Sequence, residues 1–365
     1  MDIIKMRDWG FGWQNLPRPL LIAGPCSAET EAQTLESCRG AAEAGAVMLR
    51  AGIWKPRTRP DQFEGIGEIG LPWLTAAGRE FGLPVTVEIA NGAHVEAALK
   101  AGVDVLWIGA RTTVNPFSVQ EIADALRGTN IPVMVKNPLN PDVGLWIGAF
   151  ERLYKVGIQR MAAIHRGFSV ANAAPYRNKP KWELPIELHR CIEGLDIIND
   201  PSHIAGKRDL LFDIAQKAMN LNFDGLMIET HCAPDAAWSD AAQQVTGADL
   251  RALLDKLVIR RASTDDPDLL NKLEELRDVI DTLDLEIISL LSKRMETSRE
   301  IGGYKRAHQI TILQIERWRQ IFESRTAEAE KGGLHANFVK SYLEALHLES
   351  IRQQASPDPS EGGEA

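Results

Sequence analysis

Residues able to bind a divalent metal stand where apolar runs of this chain break. Cys26 follows Leu20-Leu21-Ile22-Ala23-Gly24-Pro25, and His203 follows Leu195-Asp196-Ile197-Ile198 and the break at Asp200-Pro201-Ser202. Glu229 and His231 close Gly225-Leu226-Met227-Ile228, and Asp240 lies eleven residues beyond Glu229, where the next helix is expected to begin. A short β-branched run ended by glycine or proline reads as a buried strand handing a side chain to a loop. A thiolate, an imidazole and two carboxylates delivered this way suit one divalent ion. Taken singly, Cys26 or His203 reads as a satisfied structural residue, and only the set points to a site.

Cations gather at the same kind of position. The residues that close or follow the other runs include Lys55 and Arg57, Glu88, Arg111, Lys136, His165 and Arg166. Each cation alone reads equally well as a solvated loop charge. Five of them (Lys55, Arg57, Arg111, Lys136, Arg166) at one mouth, in a chain of net charge -9, point to a polyanionic small molecule bearing phosphates and a carboxylate.

These side chains need elements that aim them together. Eight apolar runs, at 20–24, 47–52, 84–89, 105–109, 133–136, 160–165, 195–199 and 225–230, alternate with helical periodicity at positions such as 31–44, 94–101, 119–127, 208–219 and 240–257. Eight β-α units in about 240 residues predict the α/β class and a (β/α)8 TIM barrel, with its active site at the C-terminal ends of the strands. The segment around Trp9 to Trp13 is expected to form a hairpin or a plug. The expected boundaries are 1–258 for the barrel, 259–268 for a polar, breaker-containing linker, 269–354 for a helical domain and 355–365 for a disordered tail.

Asp266 suits an N-cap with Pro267 at the first helical position. Beyond it, apolar residues recur at Leu269, Leu273, Leu276, Ile280, Leu283, Ile287, Leu290 and Leu291 without a proline. The pattern predicts one helix of about 37 residues, roughly 55 Å long, followed by helices over 313–329 and 336–354. Three helices of such unequal length do not easily close a core alone, so the all-α domain is expected to form an intertwined dimer. Arg294 and Lys305, eleven residues apart, share one helix face and can close on a small dicarboxylate. Arg277, about 25 Å from Arg294 along the axis, would have to reach in from the partner protomer.

Composition narrows the classes. With 44% hydrophobic and 25% charged residues among 365, the chain reads as a soluble globular protein. Its acidic balance leaves no footprint for nucleic acid, and no apolar run approaches a membrane span. Residues 1–15 lack the apolar core of a signal peptide. Four scattered cysteines without a CxxC pair indicate neither a disulfide framework nor a zinc finger, and a reducing cytoplasm fits best.

Taken in order, Gly24-Pro25-Cys26-Ser27, Lys55-Pro56-Arg57-Thr58, Ile108-Gly109-Ala110-Arg111, His165-Arg166-Gly167, Asp200-Pro201-Ser202-His203 and Ile228-Glu229-Thr230-His231 resemble the motifs of type I 3-deoxy-D-arabino-heptulosonate 7-phosphate (DAHP) synthases. The resemblance covers nearly all of residues 15–257. It implies a barrel that condenses phosphoenolpyruvate with erythrose 4-phosphate, the first step of the shikimate pathway. It also implies one divalent ion (Mn, Co, Zn, Fe or similar) on Cys26, His203, Glu229 and Asp240. Arg111 and Arg166 would take the phosphate of phosphoenolpyruvate, Lys55 and Lys136 its carboxylate and reacting centre, and Arg57 and Thr58 the aldose phosphate. Glu88 would handle the proton of the attacking water and Lys136 the developing charge. Arg59, Val114 and Asn137-Pro138 depart from the commoner family pattern and bear on the aldose contacts.

Residues 268–356 resemble the all-helical chorismate mutases, through Leu276-Arg277, Arg294, Lys305, Arg317, Ser350 and Gln354. The resemblance implies that Arg277 and Arg294 hold the carboxylates of chorismate, that Lys305 and Gln354 face the ether oxygen, and that Arg317 and Ser350 support the site. Relatives commonly place Asp and Glu where this chain has Gln314 and Trp318. The expectation is therefore a bifunctional enzyme with feedback by chorismate or prephenate. The alternatives are a helical domain that only dimerises and senses an effector, and a barrel that takes a five-carbon aldose phosphate.

Overall fold

The computed structural model describes residues 1–55, 63–261 and 263–355. Eight parallel strands close in sequence order into a barrel: β1 Leu20–Gly24, β2 Met48–Ala51, β3 Val85–Ile89, β4 Val105–Ile108, β5 Val133–Lys136, β6 Met161–His165, β7 Asp196–Asn199 and β8 Gly225–Glu229. Around them lie α1 Glu31–Glu43, α2 Gly70–Phe81, α3 Gly92–Lys100, α4 Ala110–Thr113, α5 Pro116–Ala125, α6 Val143–Lys155, α7 Glu183–Cys191, α8 Pro201–Ala205, α9 Leu211–Asn220 and α10 Gly247–Asp255. The chain divides into two compact units, Met1–Ala262 and Ser263–Ala365.

Side-chain parity sets what each strand shows the barrel interior. Leu49, Val87, Leu106, Ile108, Val133 and Val135 belong to the outer core beneath the helices, whereas Met48, Val105, Trp107, Met134, Ile164 and Met227 fill the inside. Met6, Trp9 and Trp13 join that inner cluster, so the N-terminal segment is a plug rather than a hairpin. It is pinned where the Met6 N–H donates to Asp196 Oδ2 at 2.5 Å and where Ile4 bridges Arg160 in parallel.

That pin titrates. Burial and the neighbouring Asp224 raise the Asp196 carboxyl from 3.8 to about 6, against the opposing Met6 N–H, Lys5 and Arg7. A folded value above the unfolded one means the contribution is fully present below 3.8 and is lost as pH rises through about 6. Asp200 and Glu229, depressed in the folded chain, act in the opposite sense, contributing above their ordinary values and losing that contribution on acidification. Asp196→Asn keeps an acceptor for Met6, and it is expected to raise Tm at about pH 8 but hardly at about pH 5. Equal gains at both would dissociate the plug from this carboxyl.

The helix expected to start at Asp240 starts at Gly247 instead. Thr246 caps it, accepting from the Asp249 N–H while Asp249 accepts from Thr246 N–H, and this capping box outweighs the apolar periodicity upstream. Asp240 stays in the preceding loop in a left-handed conformation, with φ 46°.

In the second unit, Asp266 caps α11 Pro267–Ala307 by accepting from the N–H groups of Asp268 and Leu269. Turns lead to α12 Ile315–Lys331 and α13 Ala336–Ala355, and α13 packs against both other helices. Few apolar side chains are buried here, among them Met295, Val339 and Leu343. Along α11, Leu276, Val279, Ile280, Leu283, Ile287, Ile288 and Leu290 are each about half or more exposed. Within this unit the described helices leave that apolar stripe uncovered.

Candidate active sites

β1 delivers Cys26 because it ends on glycine. A Cβ at Gly24 would lie 2.1 Å from the carbonyl oxygen of Arg50, so a side chain there would push β1 off β2. Cys26 is buried, its N–H donates to Gln244 Oε1, and its Sγ lies 3.4 Å from Asp240 Oδ2 and 2.8 Å from Lys55 Nζ. Burial pushes the thiol up to about 12, with Glu229 and Asp240 adding and Lys55 and Arg50 opposing. Such a thiol becomes a ligand only when a cation ionises it.

β7 and α8 present His203. Asp200 caps α8 by accepting from the His203 N–H, and its carboxylate also takes His203 Nδ1 at 2.8 Å and Lys136 Nζ at 2.9 Å. Desolvation alone would raise the Asp200 carboxyl, but His203 and Lys136 hold it well below its usual range. With Nδ1 bonded to a carboxylate, Nε2 is left free to ligate, and it lies 3.8 Å from Glu229 Oε1. Burial lowers the His203 pKa, which favours the neutral, ligating form.

β8 ends on Glu229, which faces inward. Arg50 Nη1 donates to its Oε1 at 2.9 Å and Gln243 Nε2 to its Oε2 at 2.6 Å. Burial would raise this carboxyl too; His203, Arg50 and Lys55 overcome it and hold it far down. Asp240 accepts from Arg177 Nη1 at 3.0 Å. Among the described residues no three His, Cys, Asp or Glu groups gather closely enough to hold an ion; the four stand as two pairs, Cys26 with Asp240 and His203 with Glu229. The donor chemistry nevertheless fits a divalent ion: a tautomer-fixed imidazole, ionised carboxylates and a thiol that lacks only a cation.

Beside this set the mouth is built for anions. The guanidinium of Arg50 and the ammonium of Lys136 both lie over Trp107, at 5.0 and 5.6 Å from the ring centroid. Arg50 Nε is buried and has no hydrogen-bond partner among the described residues. Arg166 is buried, and its N–H donates to Asn137 Oδ1 at 2.7 Å while Asn137 Nδ2 donates to the carbonyl of Gly167. Asn137 thus buttresses the Arg166-Gly167 turn. Burial lowers Arg166 to about 10, with Arg177 and Arg111 adding and Asp200 and Glu88 opposing. It remains a cation at neutral pH. Glu88 Oε2 accepts from Trp107 Nε1 at 3.2 Å, and a Cβ at Gly109 would sit 2.0 Å from Glu88 Oε1, so that glycine makes the room Glu88 occupies.

Two histidines, one closing β6 and one just after β8, do other work. His165 turns to the outer layer, with ring centroids 5.0 Å from Trp182 and 6.0 Å from Phe223, and burial lowers it to about 4. Its parity is that of Ala163, which faces the helices. His231 Nε2 meets Glu29 Oε2 at 3.3 Å, and its Nδ1 accepts from the Ala233 N–H. Arg57 and Thr58 lie outside the described residues. Arg50, Arg177, Gln243 and Gln244 were not anticipated as site residues. Arg50 could have been: two residues after Met48 and two before Gly52, a charge inside a four-residue strand must face either the helices or the barrel interior. Gln243 and Gln244 fall within the helical periodicity read over 240–257, but the structure places them in and just after a 3-10 turn, and Arg177 comes from a loop without periodic signal.

In the helical unit, Arg294 Nη1 donates to Ser350 Oγ, and Lys305 Nζ donates to Gln354 Oε1 at 3.1 Å and to the carbonyl of Ile312 at 2.6 Å. Ser350 and Gln354 are four residues apart on one face of α13, so α11 brings two cations to one stripe. Arg277 is exposed and paired with Glu274, and Arg317 is exposed. Neither joins the other four within the protomer. Trp318 stacks on His347 at 3.9 Å.

A closed parallel barrel with a charged mouth at the C-terminal strand ends, followed by a separate three-helix unit, defines a (β/α)8 enzyme scaffold with an appended all-α domain. Residues 15–260 match the DAHP synthetase I family, and the chain belongs to that family. This is a family of metal-dependent enzymes. Residues 276–355 match chorismate mutase type II. The chain is 31% identical to the phospho-2-dehydro-3-deoxyheptonate aldolase of Thermotoga maritima over 225 residues, 62% of this chain and 64% of that one. Over 82 residues, 22% of each chain, it is 36% identical to the T-protein of Haemophilus influenzae. A crystal structure of the Thermotoga maritima phospho-2-dehydro-3-deoxyheptonate aldolase (DAHP synthase) superposes with a TM-score of 0.59 at 27% identity, covering 65% of this chain and 67% of that one. The chain thus spans under two thirds of the length of these two curated relatives.

Proposed function

We propose that the barrel condenses phosphoenolpyruvate with erythrose 4-phosphate and that the helical domain rearranges chorismate to prephenate. The observation that carries the first activity is the convergence of Cys26, Lys136, Arg166, Asp200, His203 and Glu229 at one mouth of a DAHP synthetase I barrel. In the reaction C3 of phosphoenolpyruvate bonds to the aldehyde carbon, whose oxygen gains a proton. Water adds at C2, losing a proton, and the C–O bond to phosphate breaks. Cys26, His203, Glu229 and Asp240 would hold the divalent ion, which when bound polarises the aldehyde oxygen.

The remaining roles belong to the chain's own groups. Arg111 and Arg166 hold the phosphate of phosphoenolpyruvate, and Lys55, Lys136 and the unanticipated Arg50 hold its carboxylate and reacting centre. Arg57 and Thr58 take the aldose phosphate. Glu88, kept beside Trp107, accepts the proton of the attacking water, and Lys136 offsets the negative charge that develops on the departing phosphate. Phosphate release from the two substrates, with a five-carbon aldose phosphate as comparison, tests this. Several 2-dehydro-3-deoxyphosphooctonate aldolases are also similar, among them that of Albidiferax ferrireducens at 26% identity over 68% of this chain and 93% of that one. Equal or better turnover of the five-carbon aldose would overturn the heptulosonate assignment.

For the helical domain, the adjacency of Arg294, Lys305, Ser350 and Gln354 supports a dicarboxylate site in which Lys305 and Gln354 meet the breaking ether oxygen. The exposed stripe of α11 supports an intertwined homodimer, with Arg277 acting in the partner's site and Arg317 at its edge, and four cysteines without a CxxC pair suit a reducing cytoplasm. The alternative is a domain that only pairs and senses, and loss of chorismate in the presence of the chain separates the two.

Feedback belongs to the same proposal. Chorismate or prephenate bound by Arg277, Arg294 and Lys305 is expected to lower the barrel's affinity for a substrate by roughly 5- to 150-fold, a coupling of about 1–3 kcal/mol, and the substrate must weaken effector binding by the same factor. Condensation rates with and without prephenate, in the wild type and in Arg294→Ala, check it. Inhibition of both to the same degree would move the effector site off the helical domain.

A further inference from the structure

We propose that His347, held against Trp318, is a substrate-contacting residue of the mutase site and takes the ring hydroxyl of chorismate. The inference rests on the mutase reading above and deepens it. Trp318 and His347 stack with centroids 3.9 Å apart and planes at 14°, and Phe322 meets Trp318 edge-on at 5.4 Å. The imidazole of α13 is therefore held by the indole of Trp318 on α12, which Phe322 of the same helix supports in turn. His347 lies three residues before Ser350 and seven before Gln354, which places all three on one stripe of α13. That stripe receives Arg294 and Lys305 from α11.

The chemistry on this stripe is incomplete without His347. Arg294 and Lys305 can meet carboxylates and an ether oxygen, but both only donate. Ser350 Oγ donates to the carbonyl of Leu346 and accepts from Arg294, and Gln354 Oε1 accepts from Lys305. A hydroxyl removed from water needs a partner, and losing it costs about 1–3 kcal/mol. No ring nitrogen of His347 makes a hydrogen bond among the described residues. Partial burial, followed by the positive charges of Arg294 and Lys305, lowers its pKa below the ordinary value, so the ring is neutral near pH 7 and offers one donor and one acceptor. A neutral imidazole fixed in orientation suits a hydroxyl, which also donates once and accepts.

The test uses the full-length chain with chorismate and with an analogue whose ring hydroxyl is replaced by hydrogen. His347→Leu removes the polar edge and keeps an apolar side chain under Trp318; His347→Gln keeps a donor and an acceptor. With chorismate, His347→Leu is expected to lower kcat/KM by about tenfold or more and His347→Gln by only a few fold. With the analogue, His347→Leu is expected to match the wild type within about twofold, because there is no hydroxyl left to lose. An equal loss on both substrates would make the ring a packing element and overturn the proposal, as would no loss on either. If the wild type leaves chorismate unchanged, the mutase reading itself fails, an outcome separate from a wild type that is active and indifferent to position 347.

Discussion

Removal of divalent metal by a chelator is expected to abolish condensation, and Cys26→Ala is expected to leave a chain that no added ion restores. The two results have different causes. Chelation takes away the charge that polarises the aldehyde, a contribution of several kcal/mol, so a loss of at least about a hundredfold is expected, with recovery when metal returns. Cys26→Ala removes the one soft donor from the set. It also frees Lys55 Nζ, now 2.8 Å from the thiol, to turn toward Asp240 and Glu229 and compete with the ion for the remaining acids. Metal content after dialysis is the readout that activity cannot supply: the wild type should retain about one ion per barrel and the variant far less. Full activity of Cys26→Ala with added metal would remove Cys26 from the ligand set. Arg177→Ala, which frees Asp240 of its guanidinium partner without touching a ligand, is expected to change metal affinity by only about 10–100-fold.

In the helical domain, Arg277→Ala and Arg294→Ala are each expected to reduce chorismate turnover by about a hundredfold or more, since each would remove a charged partner from a substrate carboxylate. Mixing the two inactive variants is expected to return activity. If each site draws Arg294 from one protomer and Arg277 from the other, random exchange makes half the dimers hybrids, and one of the two sites in each hybrid is intact. About a quarter of the wild-type activity should therefore reappear. The structure motivates the experiment: Arg294 is drawn to Ser350 within one protomer, while Arg277 is 65% exposed and among the described residues pairs with Glu274, on its own helix. No recovery after demonstrated subunit exchange would rule against a shared site.

The sequence by itself determined the eight strands of the barrel, within about a residue at each end, because their apolar runs are short, β-branched and broken by glycine or proline, which are local signals. The long α11 was legible for the same reason: its periodicity, its Asp266 cap and its Pro267 all act within a turn or two of the residues they govern. The family motifs were legible as well, since each sits at a strand end and comes in chain order. What only the tertiary structure decided depends on which side chains meet across the barrel. Arg50 became the partner of Glu229 because two strands far apart in sequence close beside β1, and His165 left the mouth because parity turned it toward Trp182. Asp240 stayed in a loop because Thr246 and Asp249 cap the helix after it, a competition between two local signals that periodicity could not settle. Trp318 looked like the loss of a carboxylate until α12 laid it on His347; a stack between helices has no spacing in the chain, so only packing could reveal it.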